Sequence, residues 1–160
     1  MKQVGIILGS QSDVEKMKGA TEALTEFGVD YEFIIASAHR TPERVQKWAL
    51  GAESRGLKVL IAAAGMAAHL GGVVASLTTL PVIGVPLSGG ALGGQDSLYS
   101  TVSMPKGTPV ATVAIDGSFN AGLLAVQILA TADPALREKL KAYKKSTAEK
   151  IIEQAKAFER

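Results

Sequence analysis

The run Tyr31-Glu32-Phe33-Ile34-Ile35-Ala36-Ser37-Ala38-His39-Arg40-Thr41-Pro42 decides the fold. Its first six residues are largely apolar and read as a buried strand. Thr41 is placed to cap a helix whose first position is Pro42, a residue with no N–H to lose there. A strand that passes through a short turn into a helix is half of a βαβ unit, and repeated units of this kind build parallel sheets. His39 and Arg40 sit on the turn itself. An isolated His-Arg pair in a turn is most often a polar surface loop, so its meaning depends on the rest of the chain.

Working outward, the same pattern repeats. Val4–Leu8 reads as a first strand, and Ser12 with Glu15 makes a capping-box spacing that opens a helix. Met17, Ala20, Leu24 and Phe27 give that helix an apolar stripe, and Gly28 ends it. The second strand spans 30–36. The second helix runs from Pro42 to about Arg55, with Val45, Trp48, Ala49 and Ala52 inward and Gly56 as its stop. Val59–Ala63 is a third strand, followed by the small-residue segment 64–72 and a short helix to about Thr78. Pro81 introduces a strand over Val82–Val85. A loop with Gly89, Gly90, Gly93 and Gly94 leads to a short helix near Asp96–Val102. Pro109 introduces a fifth strand over Val110–Ile115. A helix from about Asn120 to Thr131 packs through Leu123, Leu124, Val126, Gln127 and Ile128. Five apolar strands alternating with helices define a parallel sheet covered on both faces, with right-handed crossovers fixing most of its topology.

Asp133 caps a last helix from Pro134, with Leu136, Leu140, Tyr143, Thr147, Ile151, Ala155 and Phe158 on one stripe. At 1.5 Å per residue, some 25 residues reach about 40 Å, as far as a domain of this size is wide. The far end of the stripe is expected to pack on a neighbouring subunit, the alternative being a helix laid along its own domain.

The chain has 160 residues and no cysteine. That length suits one domain over 1–160, large enough to bury about two-thirds of its unfolded surface without disulfides. The absence of cysteine removes a thiol nucleophile and agrees with a reducing, cytoplasmic setting. No signal peptide is visible, and no run reaches the roughly 18 apolar residues of a membrane span. Residues 134–160 carry 8 basic and 4 acidic side chains, a net +4, which leaves −2 for the rest of a chain whose total is +2. With few aromatics, that excess reads as a solvated helix face, and neither nucleic acid nor membrane is expected as a partner.

Each polar cluster follows a strand. Ser10, Ser12 and Asp13 follow the first; Ser37, His39 and Arg40 the second; Gly65, Ala67 and His69 the third; Ser88 and the glycine-rich loop the fourth. In a parallel sheet these loops share the carboxyl edge, where they converge on one site. Gly9-Ser10-Gln11-Ser12-Asp13 offers hydroxyls and a helix start to a phosphate. It is neither a GxxxxGK[ST] loop nor GxGxxG, so neither a nucleoside triphosphate nor a dinucleotide is implied. Asp13 would repel phosphate and fits ribose hydroxyls better; read blandly, Ser10 is turn chemistry and Ser12 a cap. Two histidines with no cysteine or carboxylate cluster make a poor metal site, and no GxSxG elbow supports a serine triad. His39 suits proton transfer. His69, in a loop of small residues, is by itself more often a structural group.

Together these segments carry a resemblance. Gly9-Ser10-x-Ser12-Asp13, Ser37-Ala38-His39-Arg40-Thr41-Pro42, Ala64-Gly65-x-Ala67-Ala68-His69-Leu70, Asp96-Ser97-Leu98-Tyr99-Ser100 with Met104-Pro105, and Asn120-Ala121 occur in order. The ordered set, covering nearly the whole chain, resembles the class I PurE family, the N5-carboxyaminoimidazole ribonucleotide mutases of purine biosynthesis. The related class II enzymes use free CO2 and typically have lysine where Arg40 stands. The chain departs from the family pattern at Met66, where glycine is common, at Gly71, where proline is usual, and at Ser103, where glutamine is usual. Asp116-Gly117-Ser118-Phe119 is also shorter than the family's glycine-alanine stretch.

The resemblance implies a flavodoxin-like, three-layer αβα sandwich with an extended C-terminal helix, assembled as a homo-octamer. It implies a small ribonucleotide substrate, no metal and no cofactor, and transient contact with the ATP-dependent enzyme that makes the carbamate substrate. Ser10, Ser12, Ser37 and Arg40 would bind phosphate and Asp13 the ribose. Gly65, Met66, Ala67, His69 and Leu70 would enclose the migrating carboxyl group, and His39 would shuttle the proton. Two other readings compete: a carboxylase on the same fold using free CO2, and a non-catalytic nucleotide-binding regulatory module.

Overall fold

The computed structural model describes residues 1–159. Five parallel strands, β1 (Val4–Leu8), β2 (Tyr31–Ile35), β3 (Val59–Gly65), β4 (Val82–Leu87) and β5 (Ala111–Thr112), lie in the order β2-β1-β3-β4-β5. This is the flavodoxin-like order, with its reversal between β1 and β3. The helices are α1 (Lys18–Phe27), α2 (Pro42–Leu50), α3 (Leu70–Ala75), α4 (Gln95–Val102), α5 (Ser118–Ala130) and α6 (Pro134–Lys156).

The two-residue side-chain period of each strand divides the apolar residues between two cores. Ile6 and Leu8 of β1 join Ile61, Ala63, Ile83 and Val85 against α1 and α5. Ile7, Leu60, Ala62 and Val82 face the other way, onto Val45, Trp48 and Ala49 of α2 and Leu70 and Val74 of α3. β1, β3 and β4 are buried almost throughout. β2 differs from the buried strand expected: it pairs only with β1, is half-buried, and exposes Phe33. An edge strand has no neighbour to cover its outer side.

Several boundaries move for identifiable reasons. The capping box of Ser12 and Glu15 does not form. Ser10 caps instead, accepting from the Ser12 N–H at 3.3 Å, while Glu15 pairs with Lys18. Two 3-10 turns over residues 11–17 precede α1. Thr41 makes no side-chain cap; its Oγ1 accepts from the Ser37 N–H at 2.8 Å and donates to the Ser37 carbonyl, closing the turn. The second helix stops at Leu50, and Glu53–Arg55 is a separate 3-10 turn. β4 runs two residues past Val85 because Pro86 keeps its place in the ladder with β3. Pro86 shortens β5 in turn. Its carbonyl accepts from Asp116, so its missing N–H is one that would face β5, and regular pairing ends at Thr112. In α5 the buried positions are Ser118, Ala121, Gly122, Ala125, Val126, Leu129 and Ala130, with Gln127 exposed rather than packed.

The α1–α5 contact depends on small residues. A Cβ on Gly122 would lie 2.6 Å from the Ala20 carbonyl oxygen and 2.9 Å from the Ala23 Cβ. Backbone stands there rather than a flexible tip, so the helices must part to admit a methyl group. Gly122→Ala is therefore expected to destabilise the protein by about 1–3 kcal/mol despite the better helix propensity of alanine. Urea denaturation with an unchanged midpoint would show that the two helices separate freely.

Candidate active site

The register of the central strands sets the site. Leu8 stands opposite Ile35 of β2 and Ala63 of β3, so the loops after β1 and β2 leave the sheet at one level and the loop after β3 starts just beyond it, past Gly65. They enclose a cleft of about 580 Å³ lined by Gly9, Ser10, Ser12, Asp13, residues 37–40, residues 64–67 and Leu70.

The serine-rich turn and the His-Arg turn are bonded to each other. Ser12 Oγ lies 2.9 Å from Ser10 Oγ and 3.4 Å from Asp13 Oδ1. Ser37 Oγ accepts from the Arg40 backbone N–H at 3.2 Å and from its Nε at 3.4 Å. Arg40 Nη2 donates to the Gly9 carbonyl at 3.1 Å. Those contacts orient the guanidinium with two of its five N–H groups, leaving three donors for a ligand. Gly9 was not legible as part of this arrangement, because it contributes a carbonyl and not a side chain.

His39 Nε2 lies 2.8 Å from His69 Nδ1, with the ring planes at 86°. One ring must donate and the other accept, so a single proton occupies the bond and both rings cannot be cationic while it lasts. His39 and nine of the other ten residues singled out in the sequence line the cleft. His69 does not; it stands behind His39 as its hydrogen-bond partner.

Asp13 is partly buried, and that desolvation raises its carboxyl above the ordinary 3.8, against the opposing pull of Lys16, the hydrogen bond from Ser12, and Arg40. Lys16 belongs to a second cluster that sequence reading missed. Its Nζ donates to the Ser88 carbonyl and to Ser88 Oγ at 3.0 Å, while the Ser88 N–H donates to Asp116 Oδ1 at 2.9 Å. Burial pushes the Asp116 carboxyl up, but the Ser88 hydrogen bonds and Lys16 prevail and hold it below its ordinary value. This cluster ties the start of the glycine-rich loop to the first turn after β1. Lys16 lies three residues after Asp13, and that one-turn spacing was the available signal.

Among the described residues, no three His, Cys, Asp or Glu side chains stand together to hold a metal ion. No helix there is long and apolar enough to cross a membrane.

A parallel α/β sheet that gathers hydroxyls, an arginine and a histidine pair beside its reversal point belongs to the class of open-sheet proteins with a small-molecule crevice at the carboxyl edge. The AIR carboxylase family model matches residues 3–150, and the chain belongs to that family, the PurE family. It is 58% identical over 156 residues to the N5-carboxyaminoimidazole ribonucleotide mutase of Pyrococcus horikoshii, covering 98% of this chain and 88% of that one. It is 54% identical over 159 residues to the mutase of Thermotoga maritima, covering 99% and 93%. The crystal structure of Treponema denticola PurE superposes with a TM-score of 0.90 at 32% identity, covering all of both chains.

Because folding raises the Asp13 pKa, the protonated form of this residue is the stabilising one. That contribution is complete below the unfolded value and is lost as pH rises through the folded one. Asp13→Asn, permanently neutral, is therefore expected to raise the melting temperature of the ligand-free protein at pH 7. The gain should shrink as pH falls through the Asp13 titration. Thermal unfolding curves at both pH values check this; a gain that grows on acidification would reverse the assignment.

Proposed function

We propose that this chain catalyses the reversible conversion of N5-carboxyaminoimidazole ribonucleotide to 4-carboxy-5-aminoimidazole ribonucleotide in purine biosynthesis. The observation that carries the reading is that His39 lines one cleft together with the hydroxyl-and-arginine cluster and the 64–67 segment. Ser10, Ser12, Ser37 and the free donors of Arg40 take the phosphate. Asp13 accepts from the ribose hydroxyls. The segment Gly65–Leu70 encloses the carboxyl group.

The chemistry then needs one proton carrier. The exocyclic nitrogen must gain a proton as its bond to the carboxyl carbon breaks, and ring carbon 4 must lose one after the new carbon–carbon bond forms. The two events cancel, so an imidazole that donates and then accepts completes the cycle. The proton and electron balance closes without metal, ATP or an organic cofactor. His69 acts through His39, setting its orientation and the tautomer from which it works. On this reading the enzyme works in the cytoplasm, and its labile substrate comes from an ATP-dependent carboxylating enzyme in transient contact with it.

The test is to supply the carbamate without bicarbonate and measure carboxyaminoimidazole ribonucleotide. Wild type should form it, and His39→Asn should lose at least ~10²-fold in turnover in both directions, the lower range for a lost acid–base group. Affinity, set mainly by phosphate and ribose contacts, should move far less. Product formed only from aminoimidazole ribonucleotide plus bicarbonate would replace this reading with the carboxylase.

The octamer is also part of the proposal. Leu136, Leu140 and Tyr143 pack α6 onto its own core, whereas Ile151 and Ile152 are each 61% exposed and Phe158 is 86% exposed. Two exposed isoleucines in the last two turns of α6, with an exposed phenylalanine just past its end at Lys156, suit a neighbouring subunit. Truncation after Lys145 keeps the internal contacts and removes the outward ones. Light scattering should then report species smaller than the octamer, and an unchanged mass would assign assembly to another surface.

A further inference from the structure

The charge of Lys16 reaches two carboxylates, Asp13 and Asp116, and of the two only Asp13 lines the cleft. Lys16 Nζ donates to the Ser88 carbonyl and, at 3.0 Å, to Ser88 Oγ. Both acceptors are uncharged, so the ammonium is fixed in place with its charge uncancelled at contact. Asp116 stands behind Ser88, whose N–H donates to its Oδ1 at 2.9 Å. The backbone of Asp116 is left-handed, at φ +56°, a conformation that glycine adopts without strain. Asp116 also opens the segment 116–119, where the chain departs from the family's glycine-alanine stretch. A carboxylate is kept there against its backbone preference, beside Ser88 and the ammonium that Ser88 holds.

The surroundings bring no competing acid. Glu15, on the same 3-10 turn as Lys16, pairs with Lys18 at 2.6 Å. α5 packs on that turn and carries no acidic or basic side chain from Ser118 to Ala130. The glycine-rich loop has no charged residue between Gly89 and Gly94. From the loop after β2, the charge that reaches Asp13 is Arg40.

A bound nucleotide creates a conflict in this arrangement. Its phosphate and Asp13 are both anionic, and both belong to the cleft. In the ligand-free protein Lys16 and Arg40 together oppose the burial of the Asp13 carboxylate. Once phosphate takes the free donors of Arg40, that guanidinium answers the ligand. Lys16 is not a lining residue of the cleft, and Ser88 sets its position, so phosphate does not recruit it. Its charge stays with Asp13.

We propose that Lys16 is a positioning residue for the nucleotide: anchored on Ser88, it supplies the positive charge that lets Asp13 hold the ribose while phosphate occupies Arg40. The inference rests on the mutase reading, which places phosphate on Arg40 and ribose on Asp13.

The test is a double-mutant cycle, with the Kd of aminoimidazole ribonucleotide measured by calorimetry at pH 7 and low salt, where screening is weak. Lys16→Met keeps most of the stem and removes the charge. In the otherwise wild-type protein it should raise Kd up to about fivefold, the upper range for a partly exposed charge pair. Lys16→Arg, which keeps the charge, should restore most of that loss. In Asp13→Asn, already a weaker binder, Lys16→Met should change Kd by less than about twofold, the scatter expected of uncoupled sites. An equal loss in both backgrounds would show that Lys16 acts on phosphate or only braces the glycine-rich loop, and no loss in either would show that its charge does not serve the site; each overturns the proposal. Melting temperatures at pH 7 without ligand give an arm independent of the nucleotide. The gain from Asp13→Asn should be larger in Lys16→Met than in wild type, because the carboxylate has lost a cation, and an equal gain overturns the coupling. Failure of wild type to bind the nucleotide overturns the mutase reading itself, whatever the melting temperatures show.

Discussion

The alignment of β1 with β2 on one side and β3 on the other is the constraint on which the site depends. Leu8 and Ile35 end beside Ala63, two residues before β3 itself ends at Gly65, so three turns far apart in sequence start close together along one edge. Distances of a few ångströms then become available to short side chains. Arg40 reaches the Gly9 carbonyl, and His39 reaches His69. A slip of one residue in either pairing would turn each strand's side chains to the opposite core and separate these partners. The two apolar cores, one on each face, are what forbid that slip.

The histidine pair turns that geometry into a chemical restriction. A single shared proton links Nε2 of His39 to Nδ1 of His69, so one ring donates while the other accepts. Under the mutase reading this suits a group that must give up a proton and recover it within one turnover. Around it the site is divided by polarity. Hydroxyls and a guanidinium with free donors lie toward the loop after β1, and small or apolar groups lie toward the loop after β3.

The sequence was most legible where one local signal dominated. β1, β3 and β4 are short apolar runs bounded by turn residues, and their parallel pairing follows from the helices between them. Asp133 caps α6 as expected, its carboxylate accepting from the Ala135 and Leu136 N–H groups. Legibility failed where two local signals competed or where a partner lay elsewhere in the fold. Ser12 reads as a cap and Ser10 as turn chemistry, and only the path of the turn makes Ser10 the cap. Thr41 reads as a cap, but its hydroxyl is taken by Ser37. The fourth strand reads as ending at Val85, whereas Pro86 keeps its place in the ladder and its effect falls on the neighbouring strand. His39 and His69 stood out singly, 30 residues apart, and no local pattern joins them. Met66 also adopts a left-handed backbone, at φ +51°, which methionine gives no local sign of.

The most direct measurement of the central claim is a crystal structure with aminoimidazole ribonucleotide bound. The account predicts phosphate on the hydroxyls of Ser10, Ser12 and Ser37 with the Arg40 guanidinium beside it, ribose hydroxyls on Asp13, and ring carbon 4 facing His39 under the 64–67 segment. A nucleotide bound with its base toward Arg40, or seated away from the β1–β3 edge, would contradict it.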